Sequence, residues 1–240
     1  MRLIQITDCH LKADPEAFNR VGPARAQLEV VLARVEQLSP DVVIVTGDVS
    51  DDESPASYQS AYTLFSRLNC PWYWIPGNHD MPESMRELHD IHNVVDLGDW
   101  QLLLLDSRLC GQAGGALGQA QLQRLAWLLE EDARPALIAV HHPPVSVGSA
   151  WMDSIGLSDR EAFWQTLAPY AQIKAVLCGH VHHAFASCEG DVQIYTAPAT
   201  SDQFLPKSDD FALDEASRPG FRVIELHGEQ LTTWIERVDI

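Results

Sequence analysis

The sequence predicts an α/β domain built as two packed sheets with helices covering the outer faces, an αββα sandwich. Three observations predict it. Short apolar runs alternate with segments of helical spacing through the first two-thirds of the chain, and a strand-rich tail follows. The 240 residues, 46% of them hydrophobic, fit one large core over 1–240 better than two small ones. Elements in that order pack as layered sheets with helices outside.

Taken in order, residues 3–7 are short, apolar and β-favouring, and read as a buried strand. In 20–38, Val21, Leu28, Val31, Leu32, Val35 and Leu38 recur at helical spacing, and the pattern stops at Ser39-Pro40. Residues 41–46 form a second buried strand that runs into Gly47-Asp48. A helix is expected over 55–68, then a strand over 71–76 entering Gly77-Asn78-His79-Asp80. Residues 100–106 read as a strand, 111–118 as a glycine-rich loop and 119–132 as a helix. A strand over 136–140 ends at His141-His142, a helix follows over 159–170, and a strand over 173–178 ends at Gly179-His180. The tail segments 184–188, 191–197, 221–227 and 231–238 read as strands joined by turns. Residues 145–158 and 201–219 carry Gly, Ser, Asp and Pro without periodicity and are expected to be long loops, which in a compact domain are often functional.

Charge and composition exclude several classes. Sixteen Lys and Arg stand against 34 Asp and Glu, a net charge of −18, so a nucleic-acid backbone is not an expected partner. An anionic substrate would need a strong local positive charge in its site. The five cysteines are scattered without a C-x-x-C pair, which argues against a disulfide framework and against a cysteine zinc site. They read as small hydrophobes in a reducing compartment. The opening apolar stretch ends at Asp8, and no run approaches the ~18 apolar residues of a membrane span. A soluble, cytoplasmic protein with no membrane partner is expected, and both monomer and dimer stay open.

Five short polar clusters each stand where an apolar strand ends: Asp8-Cys9-His10, Gly47-Asp48, Gly77-Asn78-His79-Asp80, His141-His142-Pro143 and Gly179-His180-Val181-His182. In α/β sheets, ligands gather at the carboxyl ends of the strands, so five such loops can converge on one site. Asp8 and His10 are two apart, as are His180 and His182; in extended backbone such pairs point the same way. Aspartate and asparagine oxygens with imidazole nitrogens suit Mn, Fe, Zn and similar ions rather than thiolate-preferring ones. Glycines before Asp48, Asn78 and His180 permit tight turns and close approach.

This ordered set, D-x-H, G-D, G-N-H-D, H-H-P and G-H-x-H, resembles the calcineurin-like metallophosphoesterases from Asp8 to about His182. The resemblance implies two divalent or trivalent transition-metal ions, drawn from Mn²⁺, Fe²⁺/Fe³⁺ and Zn²⁺. Asp8, His10, Asp48 and His182 would hold one ion, and Asp48, Asn78, His141 and His180 the other, with Asp48 bridging. His79 would be a catalytic residue beside the substrate's phosphate, oriented by Asp80. His142 would be structural or support the ligands from behind, while His89, His92, His183 and His227 read as solvated or hydrogen-bonded residues without a duty at the site. In-line attack of a metal-bridging hydroxide on phosphorus is the implied reaction. The two cations would outweigh the carboxylates of Asp8 and Asp48 locally, while surface charge is screened beyond roughly 8 Å.

Within that family the chain is most similar to the bacterial class III cyclic-nucleotide phosphodiesterases. The similar segments are the opening I-T-D-C-H-L, the run H-H-P-P-V from His141, residues 196–204 (TAPATSDQF) and Pro219-Gly220-Phe221-Arg222. This implies hydrolysis of 3′,5′-cyclic AMP to 5′-AMP. Trp151-Met152-Asp153 is instead reminiscent of glycerophosphodiester and broad-specificity phosphodiesterases. A catalytically silent metal-binding module on the same fold would be expected to have lost ligands, and here none is missing.

Overall fold

The computed structural model describes residues 1–240. Its first strand, Arg2–Ile6 (β1), leads to a helix at Ala24–Gln37 (α1) and a second strand at Val42–Thr46 (β2). Then come Pro55–Phe65 (α2), Trp72–Ile75 (β3), Pro82–Leu88 (α3), Val94–Asp96 (β4) and Gln101–Leu105 (β5). Gly118–Glu131 (α4), Ala136–Val140 (β6), Ala150–Asp153 (α5), Arg160–Leu167 (α6) and Ile173–Cys178 (β7) follow. The tail adds Phe185–Glu189 (β8), Val192–Thr196 (β9), Gly220–His227 (β10) and Gln230–Arg237 (β11).

Two mixed sheets result, in the orders β11-β10-β1-β2-β3 and β4-β5-β6-β7-β9-β8. Strand alternation sorts their side chains into three layers. Leu3, Val42, Ile44, Leu102, Leu104 and Leu137 pack between the sheets. Their neighbours Ile4, Ile6, Val43 and Val45 face away, onto Leu28, Val31 and Val35 of α1 and Tyr58 and Phe65 of α2. On the second sheet, Leu103, Leu105, Ile138 and Val140 face Leu122, Leu125 and Leu129 of α4 and Phe163 of α6. The helices therefore cover the outer faces, which is the αββα arrangement. Two buried polar side chains cross between the sheets: the Gln5 amide donates to Thr46 Oγ1 (3.0 Å) in its own sheet and to the Cys178 carbonyl (2.8 Å) in the other, and the Arg222 guanidinium of β10 donates to Thr196 O of β9 (2.8 and 3.1 Å).

Several boundaries differ from the sequence expectation for local reasons. α1 begins at Ala24 rather than 20, because the Arg20 and Val21 amides donate to the Asp202 carboxylate and Pro23 takes the cap position. α2 ends at Phe65, where Arg67 N and Leu68 N turn back to Leu64 O and Phe65 O and tighten the last turn. α6 starts at Arg160; the Asp159 carboxylate in front of it accepts from Leu117 N and Gly118 N and so caps α4. Three short elements, α3, β4 and α5, were not expected. α5 lies within 145–158, and Ser201 to Phe204 of the second expected loop is buried.

Candidate active site

Strands β1, β2 and β3 of one sheet and β6 and β7 of the other deliver their C-terminal loops to a common edge. The first two loops run side by side: Asp8 N donates to Gly47 O, His10 N to Asp48 O and Leu11 N to Val49 O, each at 3.0 Å. The D-x-H and H-x-H pairs are not in extended backbone, which corrects the expectation drawn from their spacing. Asp8, His10, Asp48, His180 and His182 all have positive φ, between 48° and 72°. Non-glycine residues rarely occupy this region, and held there they cluster at functional sites. The consequence differs for the two pairs. Asp8 and His10 stay together with His182, whereas His180 turns toward His141. Close approach is also built in: a Cβ on Gly77 would overlap Asp48 Oδ1 and stand 2.8 Å from its Cγ.

Two groups of donor atoms meet at Asp48. In one, His182 Nε2 lies 3.1 Å from His10 Nε2 and 3.5 Å from Asp8 Oδ1. In the other, His141 Nε2 lies 3.2 Å from Asn78 Oδ1 and 3.4 Å from Asp48 Oδ2. Asp48 Oδ2 is also 3.7 Å from His10 Nε2, so one carboxylate oxygen faces both groups. The buried His180 Nε2 has no hydrogen-bond partner.

The tautomers make these approaches informative. His141 Nδ1 donates to Thr46 O (2.8 Å) and His182 Nδ1 donates to Asp202 O (2.7 Å), which turns each Nε2 toward the cluster. Each Nε2 then faces other acceptors, an arrangement that needs a cation between them, either a proton or a metal ion. An ion held at roughly 2.0–2.2 Å by nitrogen and oxygen donors keeps neighbouring donors about 3.0–3.5 Å apart, close to the separations found here. Burial also drives His180 and His182 well below the ordinary imidazole range, keeping them in the neutral, ligating form. Burial opposes charge on His141 as well, but Asp48 beside it pushes the group up to about 9, with Asp48 itself held well below the usual carboxylate range. Burial raises Asp8 to about 6. Two neutral histidines, a His141 proton that a metal ion would displace, and the orphaned His180 nitrogen fit a pair of bound cations.

The remaining expected residues fall in distinct places. His79 is exposed at the rim, its ring centroid 5.0 Å from that of His10, and its amide donates to Asp48 Oδ1 (2.9 Å). Asp80 does not reach the His79 ring, which corrects the orienting role expected for it. Its buried carboxylate accepts from Gly77 N (2.9 Å), Ser50 N (3.0 Å) and Val49 N (3.1 Å), and so ties the β3 loop to the β2 loop. His142 has both nitrogens engaged, Nδ1 with Ser107 Oγ (2.8 Å) and Nε2 with Ala113 O (3.1 Å), so it has no lone pair to offer an ion. His89 lies against Trp72 and His227 beside Glu225, away from the cluster.

Sequence reasoning missed several residues at the site. Asp51 Oδ1 lies 3.3 Å from His10 Nδ1, and this contact lowers Asp51 to about 2. Asp202 supplies the carbonyl that fixes His182, while its carboxylate holds the 20–21 backbone. Two adjoining cavities open beside the cluster. One, of about 250 Å³, is polar and includes Lys12, Arg20 and Asp51; the other, of about 210 Å³, adds Trp151, Phe204 and Phe211 to the histidines. Trp151, Asp202 and Phe204 lie in segments whose resemblance the sequence already shows, whereas only contacts between distant segments reveal the places of Lys12, Arg20, Asp51 and Phe211.

The pattern of the calcineurin-like phosphoesterases matches residues 1–184, and the chain belongs to that family. It is similar over 99% of its length to proteins described as 3′,5′-cyclic adenosine monophosphate phosphodiesterase CpdA. The one from Pseudomonas aeruginosa and the one from Vibrio vulnificus are each 38% identical, with 90% of their own length covered. Among solved structures, a dimetal phosphatase from Danio rerio superposes with a TM-score of 0.70 at 14% identity, covering 99% of both chains; this likeness concerns the fold. No helix is long and apolar enough to cross a membrane.

Proposed function

We propose that this chain hydrolyses 3′,5′-cyclic AMP to 5′-AMP with two transition-metal ions held by Asp8, His10, Asp48, Asn78, His141, His180 and His182. The observation that carries the metal-dependent chemistry is the set of ring nitrogens and carboxylate oxygens converging at 3.1–3.7 Å around Asp48. Full-length similarity to cyclic AMP phosphodiesterases supports the substrate. Bound there, two ions supply Lewis-acid polarisation of the phosphoryl oxygens and an activated water.

The chain's own residues supply the rest. His79, exposed at the rim beside His10, is placed to stabilise charge on the phosphoryl group or to protonate the departing 3′ oxygen. Lys12 and Arg20 add positive charge at the mouth of a strongly acidic protein. The open-diester alternative gains nothing from Asp153, whose carboxylate is occupied by Ser146 Oγ (2.6 Å) and Val147 N (2.7 Å).

The test is turnover of cyclic AMP against bis(p-nitrophenyl) phosphate and glycerophosphocholine, using metal-stripped protein reconstituted with Mn²⁺. Preference for cyclic AMP is the expected result. Preference for either open diester would move the protein to the broad phosphodiesterases.

A further inference from the structure

The aromatic side chains beside the metal-ligand cluster form a continuous wall with a graded exposure. Phe204 stacks flat on His182, with ring centroids 3.9 Å apart and planes 7° from parallel, so the wall begins at a ligand. Trp151, Phe204 and Phe211 then contact one another edge to face, each pair at 5.3 Å and at angles of 67–78°. Phe204 is buried, but Phe211 is 48% exposed at the outer end. Arg20 lies over the Phe211 ring, its guanidinium carbon 5.0 Å from the centroid. All four side chains line the 210 Å³ cavity that also contains His10, Asn78, His79 and His180.

The backbone under both exposed members is fixed. Leu205 N donates to Ala212 O (2.8 Å) and Trp151 N to Asp209 O (3.2 Å), which pins the turn that carries Phe211. The Asp202 carboxylate accepts from Arg20 N (3.1 Å) and Val21 N (3.0 Å), and it also lies 3.6 Å from Arg20 Nη1. Packing alone does not explain Phe211: the small cluster beneath it is built from Val147, Met152, Val181 and Phe204, and Phe211 adds a ring that stays half in water. A rigid turn that holds an aromatic face at the rim of a phosphoester site, with a planar cation resting on it, presents a stacking surface. Bases stack on aromatic rings through their π faces, and a guanidinium stacks on flat π systems as well.

We infer that Phe211 and Arg20 form the base subsite of this phosphodiesterase: the purine of the nucleotide stacks on the Phe211 ring in the place the Arg20 guanidinium occupies, and Arg20 covers the base's outer face. The inference rests on the nucleotide reading given above and names the residues that make a nucleotide preferable to a phosphate ester without a base. Phe204 and Trp151 position Phe211, and the metal-ligand cluster takes the phosphate.

The experiment measures binding of 5′-AMP and of ribose 5-phosphate to the Mn²⁺-loaded protein by isothermal titration calorimetry. Wild-type protein is expected to bind 5′-AMP about tenfold or more tighter, the range of one base–aromatic stack. Phe211→Ala is expected to bring the ratio close to one, Phe211→Tyr to keep it, and Arg20→Ala to reduce it several-fold. Phe211 is half exposed, so its truncation is not expected to unfold the chain, and Phe211→Tyr keeps the ring if it does. A wild-type ratio near one, or an unchanged ratio in Phe211→Ala, overturns the inference. Retention of the ratio in a protein that does not turn over cyclic AMP supports the subsite and rejects the substrate reading, so the two fail separately.

Discussion

His141 and His142 are adjacent, both fully buried, and chemically the same, yet only one can serve an ion. The difference lies in what each ring touches. His141 donates through Nδ1 to Thr46 O and leaves Nε2 toward Asp48 and Asn78, whereas His142 uses both nitrogens on Ser107 and Ala113. Replacing His141 by alanine is therefore expected to lower the bound-metal content from two toward one and to abolish turnover. His142→Ala is expected to keep two ions and lose stability by about 1–3 kcal/mol, from the Ser107 and Ala113 groups left without a partner. Metal analysis alongside thermal melting separates the two; loss of an ion in His142→Ala would reverse the assignment. His79→Ala makes a third case, because the side chain is exposed and its link to Asp48 runs through its amide. Its metal content is expected to stay at two, with kcat lowered by roughly 10²–10⁴, the usual span for a lost proton donor. Single-turnover kinetics at saturating cyclic AMP would measure it, and a wild-type kcat would remove His79 from the chemistry.

At the scale of elements, the clusters were legible because strand ends are legible: uninterrupted apolar runs such as Ala136–Val140 and Ile173–Cys178 stop at a polar residue, and the structure begins and ends those strands where the sequence does. The elements that escaped are short. β4 has three residues and α5 four, too few for a period to repeat, and the seven-residue α3 follows the Gly77–Asp80 turn through Pro82. The geometry of the loops themselves was not legible either, because left-handed backbone at Asp8 or His182 is imposed by neighbours far away in sequence. Asp80 shows how such a loop is held. Its three backbone hydrogen bonds join the loops after β2 and β3, which carry Asp48 and Asn78. In Asp80→Asn, the new amide group would turn a donor toward backbone donors. Metal affinity is then expected to fall about 10–100-fold, the usual loss when a group supporting a ligand is removed. Titration with Mn²⁺ under calorimetry would test this, and an unchanged affinity would make Asp80 a stability residue only.

At the scale of the whole molecule, the cluster of proposed metal ligands is where the two sheets meet at their carboxyl edge. Asp8, Asp48 and Asn78 come from one sheet, and His141, His180 and His182 from the other. Beneath them Gln5 is a polar bridge between the sheets, donating across to Cys178 O. Without cations the upper edge of this joint sets acceptor against acceptor, with burial raising Asp8 to about 6 and holding His180 and His182 neutral. Ions would turn that repulsion into attachment, so they should stabilise the fold as well as the reaction. At a free concentration 100 to 1,000 times the dissociation constant, one bound ion contributes about 2.7–4.1 kcal/mol. For a domain of this size that corresponds to a melting temperature higher by roughly 5–15 °C. Chelation with EDTA followed by differential scanning calorimetry is expected to show this drop, and re-addition of Mn²⁺ to restore it. The same measurement on Asp48→Ala, which removes the carboxylate shared by both donor groups, should show a much smaller shift. An equal shift in the two proteins would place the stabilising ion elsewhere and end the two-ion reading of this edge, whatever the activity of the wild-type enzyme.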